Sequence, residues 1–352
     1  MRALRASPGA ALTWHDLPAP PPPGPLGATV RPIAIATCDL DRAVILGRTP
    51  FLLPLHLGHE CVADITAVGS AVTSVRVGQR VIVPFQISCG SCARCRLGLT
   101  SNCMAVPPIS MYGLGLAAGH WGGAYADEMS VPFADGMLVP LPPGVDPAAV
   151  ASVSDNVSDA FRHIGPHLPS LLERDADARV LIIGSLTTRV PFSGSVALYT
   201  GQAALALGGR HVQLVDARPA VREHAQQLGI EAVAPRALRR LPPAHLVADV
   251  SFSPRGLTTA LTKAAPDGII SSSGMLHTRA SIPTALMYGR NITLHFGRSN
   301  ARTHIPQVLH QVAAGQLEPG RVTTITGCLD DAPAVLREHA LSGATKTVLT
   351  RT

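Results

Sequence analysis

Four cysteines crowd into fifteen residues, Cys89, Cys92, Cys95 and Cys103, with the spacing Cys-x2-Cys-x2-Cys-x7-Cys. Thiolate sulfur is a preferred ligand of tetrahedral Zn2+, and four of them on one short loop leave no coordination position open for chemistry. Gly90 and Gly98 stand where the backbone must bend around an ion. The expected guest is therefore one structural zinc, which stabilises the loop rather than reacting. A disulfide framework would not cluster its cysteines in this way within a chain of 352 residues.

Three further potential ligands occur in order: Cys38 in ATCDLD, His59 in LGHECVADI and Asp155 in SVSDNVSD. A thiolate, an imidazole and a carboxylate make a three-ligand site whose fourth position can hold water or substrate. Spacing alone leaves open whether these residues ligate a metal or simply pack in a core. A different chemistry is suggested further along, where the apolar run RVLIIG ends at Gly184 and Gly194-Ser195-Val196-Ala197 fits the second half of G-x-G-x-x-G/A. Such a turn opens a helix N-terminus to a pyrophosphate, although here SLTTRVPFS enlarges it. Asp216 ends the run HVQLVD, 22 residues after Gly194, close to the spacing at which a carboxylate meets adenosine ribose hydroxyls. A carboxylate there repels a 2′-phosphate, so NAD is expected rather than NADP, with Arg218 two residues on as the one opposing feature.

The elements that must position these residues fall into two textures. Up to about residue 150, short β-branched runs such as ATVRPIAIA, ECVADITAVGSAV and QRVIVPF are broken by Gly and Pro, the pattern of an irregular barrel or sandwich. The run PAPPPPGP, residues 18–25, is a stiff connector with few amide protons to offer. From Arg179, strand and helix alternate: RVLIIG, SVALYTGQAALALGG, HVQLVD, AVREHAQQLG, HLVADV and DGIISSSG. Alternation of this kind predicts a parallel sheet with crossover helices, the doubly wound Rossmann arrangement. The tail from about residue 288 reads as β-rich and polar before a closing helix and strand. The length of the chain suits two domains, with no internal repeat.

GHE followed by a β segment, then VGxxVTSVRVGQRV (VGSAVTSVRVGQRV here) and the four-cysteine lobe, resembles the catalytic domain of zinc-containing medium-chain dehydrogenases, and the likeness extends over nearly the whole chain. The resemblance implies an α/β protein: a β-rich GroES-like catalytic domain, residues 1–154 and 288–352, with its zinc lobe at about 89–103, plus a Rossmann NAD-binding domain over 155–287. It implies Cys38, His59 and Asp155 as ligands of a second, catalytic zinc, with Glu60 as a carboxylate that can approach the metal and Asp41 as the acceptor orienting His59. It also places Ser273-Gly274-Met275 against the nicotinamide. Cys61 and Cys328 are left as packing residues. The implied activity is hydride transfer between an alcohol, or its aldehyde or ketone, and NAD. Family members usually carry a Ser or Thr and a His after the cysteine ligand to move the alcohol proton; this chain has Leu40 and Ala43. That departure keeps two alternatives in view, a hydride-transferring reductase of iminium or conjugated carbonyl substrates and a non-catalytic nucleotide-binding protein.

Composition excludes several classes. Hydrophobic residues make up 46% and charged residues 15%, which argues against disorder. The net charge of +6 is spread along the chain without the basic, aromatic-interleaved runs of a nucleic-acid surface. No segment approaches the roughly 20 apolar residues of a membrane span, and the N-terminus lacks a signal-peptide core. A cytoplasmic enzyme of small molecules is expected, and the resemblance implies a homo-oligomer, dimer or tetramer. His120 and Trp121, before GGAYAD, suggest an apolar cleft.

Overall fold

The computed structural model describes residues 1–49, 51–115, 119–274 and 279–351. The chain divides into two compact units, the first comprising Met1–Ser158, Pro191–Ser193 and Asn300–Thr352, the second Asp159–Val190 and Gly194–Ser299.

The first unit begins with β1 (Arg2–Ser7), β2 (Ala11–Asp16), β3 (Ala28–Ala36), β4 (Leu55–His56), β5 (Glu60–Val68), β6 (Arg80–Val83), β7 (Met129–Val131) and β8 (Val139–Pro140). The second unit holds β9 (Arg179–Ile183), β10 (His211–Val215), β11 (Glu231–Val233), β12 (Ala244–Asp249), β13 (Ala264–Ser272) and β14 (Thr293–Phe296). The chain then returns to the first unit with β15 (Ile325–Cys328) and β16 (Thr347–Thr350).

In the first unit, β15-β16-β3-β5-β6-β8 form a mainly antiparallel sheet, with β7 also on β3, while β2-β1-β4 make a separate three-stranded sheet. The longest pairing, β3 against β5, sets Ala36 opposite Glu60 and Ile35 opposite Cys61, so the end of β3 runs directly into Cys38 beside the start of β5 at His59-Glu60. Val30, Ile35, Ile65 and Val81 bury their side chains in the same core as Leu336 and Leu349 from the far end of the chain. Burial of this branched apolar surface fixes the register, because a slip by one residue would turn each side chain to the opposite face.

The second unit is a six-stranded sheet in the order β11-β10-β9-β12-β13-β14, with every pairing parallel. Counted from its own first strand this is 3-2-1-4-5-6, the dinucleotide-binding order. Val180, Leu181, Ile182 and Ile183 of β9 are all buried, as a central strand covered on both faces must be.

Two sequence expectations need correction. Residues 288–299 belong to the second unit rather than the first, because β14 pairs with β13 and so extends the parallel sheet. The tail is also less β-rich than it reads: Ala301–Ala313 is a helix. Its buried residues, Ala301, Ile305, Val308 and Leu309, recur at helical spacing, but Pro306 in its middle disguises the pattern.

Candidate functional site

The lobe cysteines lie on the loop that follows β6. Their four sulfurs lie within 4.8 Å of one another. Backbone N–H groups already point at the sulfurs: Cys92 donates to Cys89 Sγ at 3.3 Å, Cys89 to Cys103 Sγ at 3.3 Å and Met104 to Cys92 Sγ at 3.4 Å. Such bonds favour thiolate over thiol, and the amides of Met104 and Cys95 bring the Cys92 thiol down to about 6. Gly90, at φ +75°, sits so close to Gly136 that a Cβ would be 2.6 Å from its Cα, which is why this bend needs glycine. None of the seven cysteines is in a disulfide. A closed set of four sulfurs fits a structural metal.

Cys38, His59, Glu60 and Asp155 form a second cluster whose ligand atoms also lie within 4.8 Å of one another, all four residues buried. His59 Nε2 is 3.3 Å from Asp155 Oδ2. Glu60 is wholly buried and accepts a 2.7 Å bond from Lys346 Nζ. Burial pushes the Cys38 thiol well up, with the neighbouring Asp155 and Glu60 carboxylates adding to the effect. Burial likewise raises Glu60 well above the usual carboxylate range, opposed by Lys346. Both shifts come first from burial, which strips water from the ionised form, and then from neighbouring carboxylates that outnumber the one lysine reaching them. A divalent cation would reverse that penalty. His59 Nδ1, Glu60 Oε1 and Asp41 Oδ1 are buried without a hydrogen-bond partner. Sulfur, nitrogen and carboxylate oxygen in one pocket are the donor set of an open zinc site, so the residues fit the metal.

The geometry amends the sequence reading in one respect. Asp41 does not bond to His59; its Oδ2 accepts the Cys38 N–H at 2.9 Å. Leu40 and Ala43 are buried and apolar, so neither offers a hydroxyl or imidazole. Sequence reasoning missed Lys346 and Asn156. Lys346 is one of only two lysines in the chain and stands immediately before the strand TVLT, a conspicuous place for a buried charge. Asn156 carried no signal beyond its adjacency to Asp155.

In the second unit, Gly184 follows β9, and a Cβ there would lie 2.5 Å from Asp216 Oδ2. Gly194 caps the helix Ser195–Ala206, in which Ala197 is buried. The glycine turn and helix N-terminus lie at the carboxyl end of the central strand, where the order of the sheet reverses and ligands bind in such folds. Asp216 is fully buried, and its carboxylate is already engaged: Ser185 N–H donates to Oδ2 at 3.0 Å and Arg218 reaches both oxygens, at 2.9 Å and 2.7 Å. Gly274, at φ +53°, packs against the Phe296 ring so closely that any side chain would collide with it; Met275 lies outside the described residues. His120 and Trp121 line a cavity of about 600 Å³ together with Arg5, His56 and Glu128. None of Cys38, His59, Glu60 or Asp155 lines it, so the cleft suggested by Trp121 is separate from the metal-ligand cluster.

A β-rich unit with one closed and one open cluster of metal-ligating side chains, joined in one chain to a dinucleotide-type parallel sheet, defines a dehydrogenase-like oxidoreductase. Comparison with known proteins agrees. Residues 24–143 match the alcohol dehydrogenase GroES-like domain family. A medium chain reductase/dehydrogenase of Acremonium sp. is 30% identical over 63% of this chain and 75% of its own length. The probable zinc-binding alcohol dehydrogenase of Mycobacterium tuberculosis is 26% identical over 94% of this chain and 83% of its own. Among solved structures, the alcohol dehydrogenase of Thermus sp. ATN1 superposes with a TM-score of 0.88 at 27% identity, covering 100% of both chains. The chain belongs to the zinc-type medium-chain dehydrogenase/reductase superfamily, and it is an oxidoreductase.

Proposed function

We propose that the protein is a zinc-dependent, NAD-linked oxidoreductase that transfers hydride between an alcohol, or its aldehyde or ketone, and nicotinamide. The observation that carries this reading is the convergence of Cys38, His59, Glu60 and Asp155 in a buried cluster distinct from the closed four-cysteine lobe. Cys38, His59 and Asp155 would hold a catalytic zinc with Glu60 close by, and Cys89, Cys92, Cys95 and Cys103 a structural one. A zinc held there would supply Lewis acidity toward a substrate oxygen, and a bound nicotinamide would supply the hydride acceptor or donor. Gly184, Gly194, Ala197 and Gly274 would form the walls of the dinucleotide site. Asp216 supports NAD over NADP, since a buried carboxylate at the end of β10 disfavours a 2′-phosphate even though Arg218 pairs with it.

Leu40 and Ala43 favour a second reading. A substrate that arrives without an alcohol proton to remove, such as an iminium ion or a conjugated carbonyl, needs no hydroxyl relay there. The deciding experiment follows NADH absorbance with alcohols, aldehydes, iminium ions and enones, for wild type and Asp155→Ala. Turnover that disappears in a folded Asp155→Ala protein supports catalysis at this cluster, and the substrate panel selects between the readings. Unchanged turnover in the variant overturns both, and no turnover of any substrate by the wild type leaves only a nucleotide-binding role.

We also place the protein in the cytoplasm, a reading supported by seven cysteines of which none is in a disulfide. No described helix is long and apolar enough to cross a membrane. A homo-oligomer is proposed as well. Among the described residues β14 pairs on one side only, and Phe296 on it and Tyr288 before it are exposed at 54% and 89%, which is unusual for large apolar rings. Sedimentation of Phe296→Lys beside wild type checks this: a smaller species supports it, and two identical monomers contradict it.

A further inference from the structure

Asn156 is the first residue of the helix Asn156–Ile164, and its side chain is buried between the groups of the open cluster. Its amide nitrogen Nδ2 lies 3.3 Å from Cys38 Sγ and 3.0 Å from Asp155 Oδ2. Its Oδ1 accepts from Lys346 Nζ at 2.9 Å and from the Asp39 N–H at 3.3 Å. The assignment of oxygen and nitrogen is forced by chemistry, because an ammonium and a backbone amide can only donate, whereas a carboxylate can only accept. Lys346 Nζ in turn donates to Glu60 Oε2 at 2.7 Å. One neutral side chain thus contacts two of the cluster's anionic groups directly and reaches a third through one lysine.

We propose that Asn156 is the positioning residue of the open metal site: its two amide hydrogens hold the Cys38 thiolate and the Asp155 carboxylate at ligand spacing, while its carbonyl anchors the Lys346–Glu60 pair. The inference rests on the zinc reading of the Cys38–His59–Glu60–Asp155 cluster. Two anionic ligands next to each other repel, and a single donor group shared between them opposes that repulsion without adding a charge that would compete with the metal. A carboxylate or an apolar side chain at this position could not do so, the first lacking hydrogens and the second any polar group.

Asn156→Asp keeps the shape and the acceptor for Lys346 but removes both amide hydrogens; Asn156→Leu removes donor and acceptor without adding charge. Each variant and the wild type are loaded with Co2+ or Zn2+ and titrated against a competing chelator, and the thiolate-to-cobalt charge-transfer band is recorded. The expected result is a 10- to 100-fold weaker open site in both variants, with lobe metal retained and the Cys38 charge-transfer band shifted or diminished. Folded variants that bind the second metal with wild-type affinity and an unchanged band overturn the role of Asn156 alone. Loss of lobe metal, or failure to fold, in both variants makes Asn156 a folding residue and overturns it too. A wild type that takes up a single metal, at the lobe, overturns the open-site reading and this inference with it.

Discussion

Lys346 and Glu60 are both fully buried, and their 2.7 Å ion pair is held further by Asn156. Breaking such a pair from one side leaves an uncompensated charge in a place water does not reach, a loss of about 3–5 kcal/mol. Lys346→Met is therefore expected to lower the unfolding free energy from denaturant titration by that order, and the Lys346→Met/Glu60→Gln double variant to recover a substantial part of it. Equal stability of single and double variants would show that the pair is not what the lysine is there for. Residue-scale chemistry was unevenly legible in the sequence. The lobe thiols announced themselves by spacing, and resemblance supplied Cys38, His59, Glu60 and Asp155, which the fold brings together. Lys346 and Asn156 were invisible because their importance comes from contacts across 190 residues of chain. Asp216 was correctly placed at a strand end, but the grip of Arg218 on its carboxylate depends on side-chain direction, which spacing does not reveal.

At the scale of elements, the helix Asn156–Ile164 does more than deliver Asn156. Its other end places His163 against the end of β13, where Nδ1 meets Ser271 Oγ at 2.8 Å and Nε2 meets Ser273 Oγ at 3.0 Å. Burial and the neighbouring Arg162 bring the His163 imidazole down to about 3, with Asp159 opposing and His167 adding slightly. The unfolded chain takes up a proton at this residue near pH 6.5, whereas the folded one does so only near 3. Stability from the neutral, bonded ring is thus fully present above about pH 6.5 and lost as the pH falls toward 3, by up to about 1.4 kcal/mol per pH unit. His163→Gln should flatten the fall of the urea midpoint between pH 7 and 4; the same slope in variant and wild type would exclude the imidazole as the cause. The strands and crossover helices of the parallel sheet were legible because their apolar runs are long and end at Gly or Asp. The helix Ala301–Ala313 was not, since Pro306 imitates a break that its neighbours' packing overrides.

For the molecule as a whole, the proposed function needs two metals in one chain with different work. Both assignments rest on ligand sets in the first unit, one of four sulfurs with no place for a substrate, the other of mixed donors with unpartnered buried atoms. A closed thiolate site holds zinc tightly and contributes folding energy, while an open site with fewer anionic ligands gives it up more readily. The position of the domain boundary was only partly readable, because β14 looks like part of a polar tail until its pairing with β13 is seen. The most direct test is elemental analysis of zinc per chain before and after mild chelation, with turnover followed in parallel. Two zincs per chain are expected, one lost on chelation together with activity, that metal and the activity restored by added zinc, while the lobe metal stays and the protein remains folded. A single tightly held zinc, with turnover indifferent to the chelator, would contradict the proposed function.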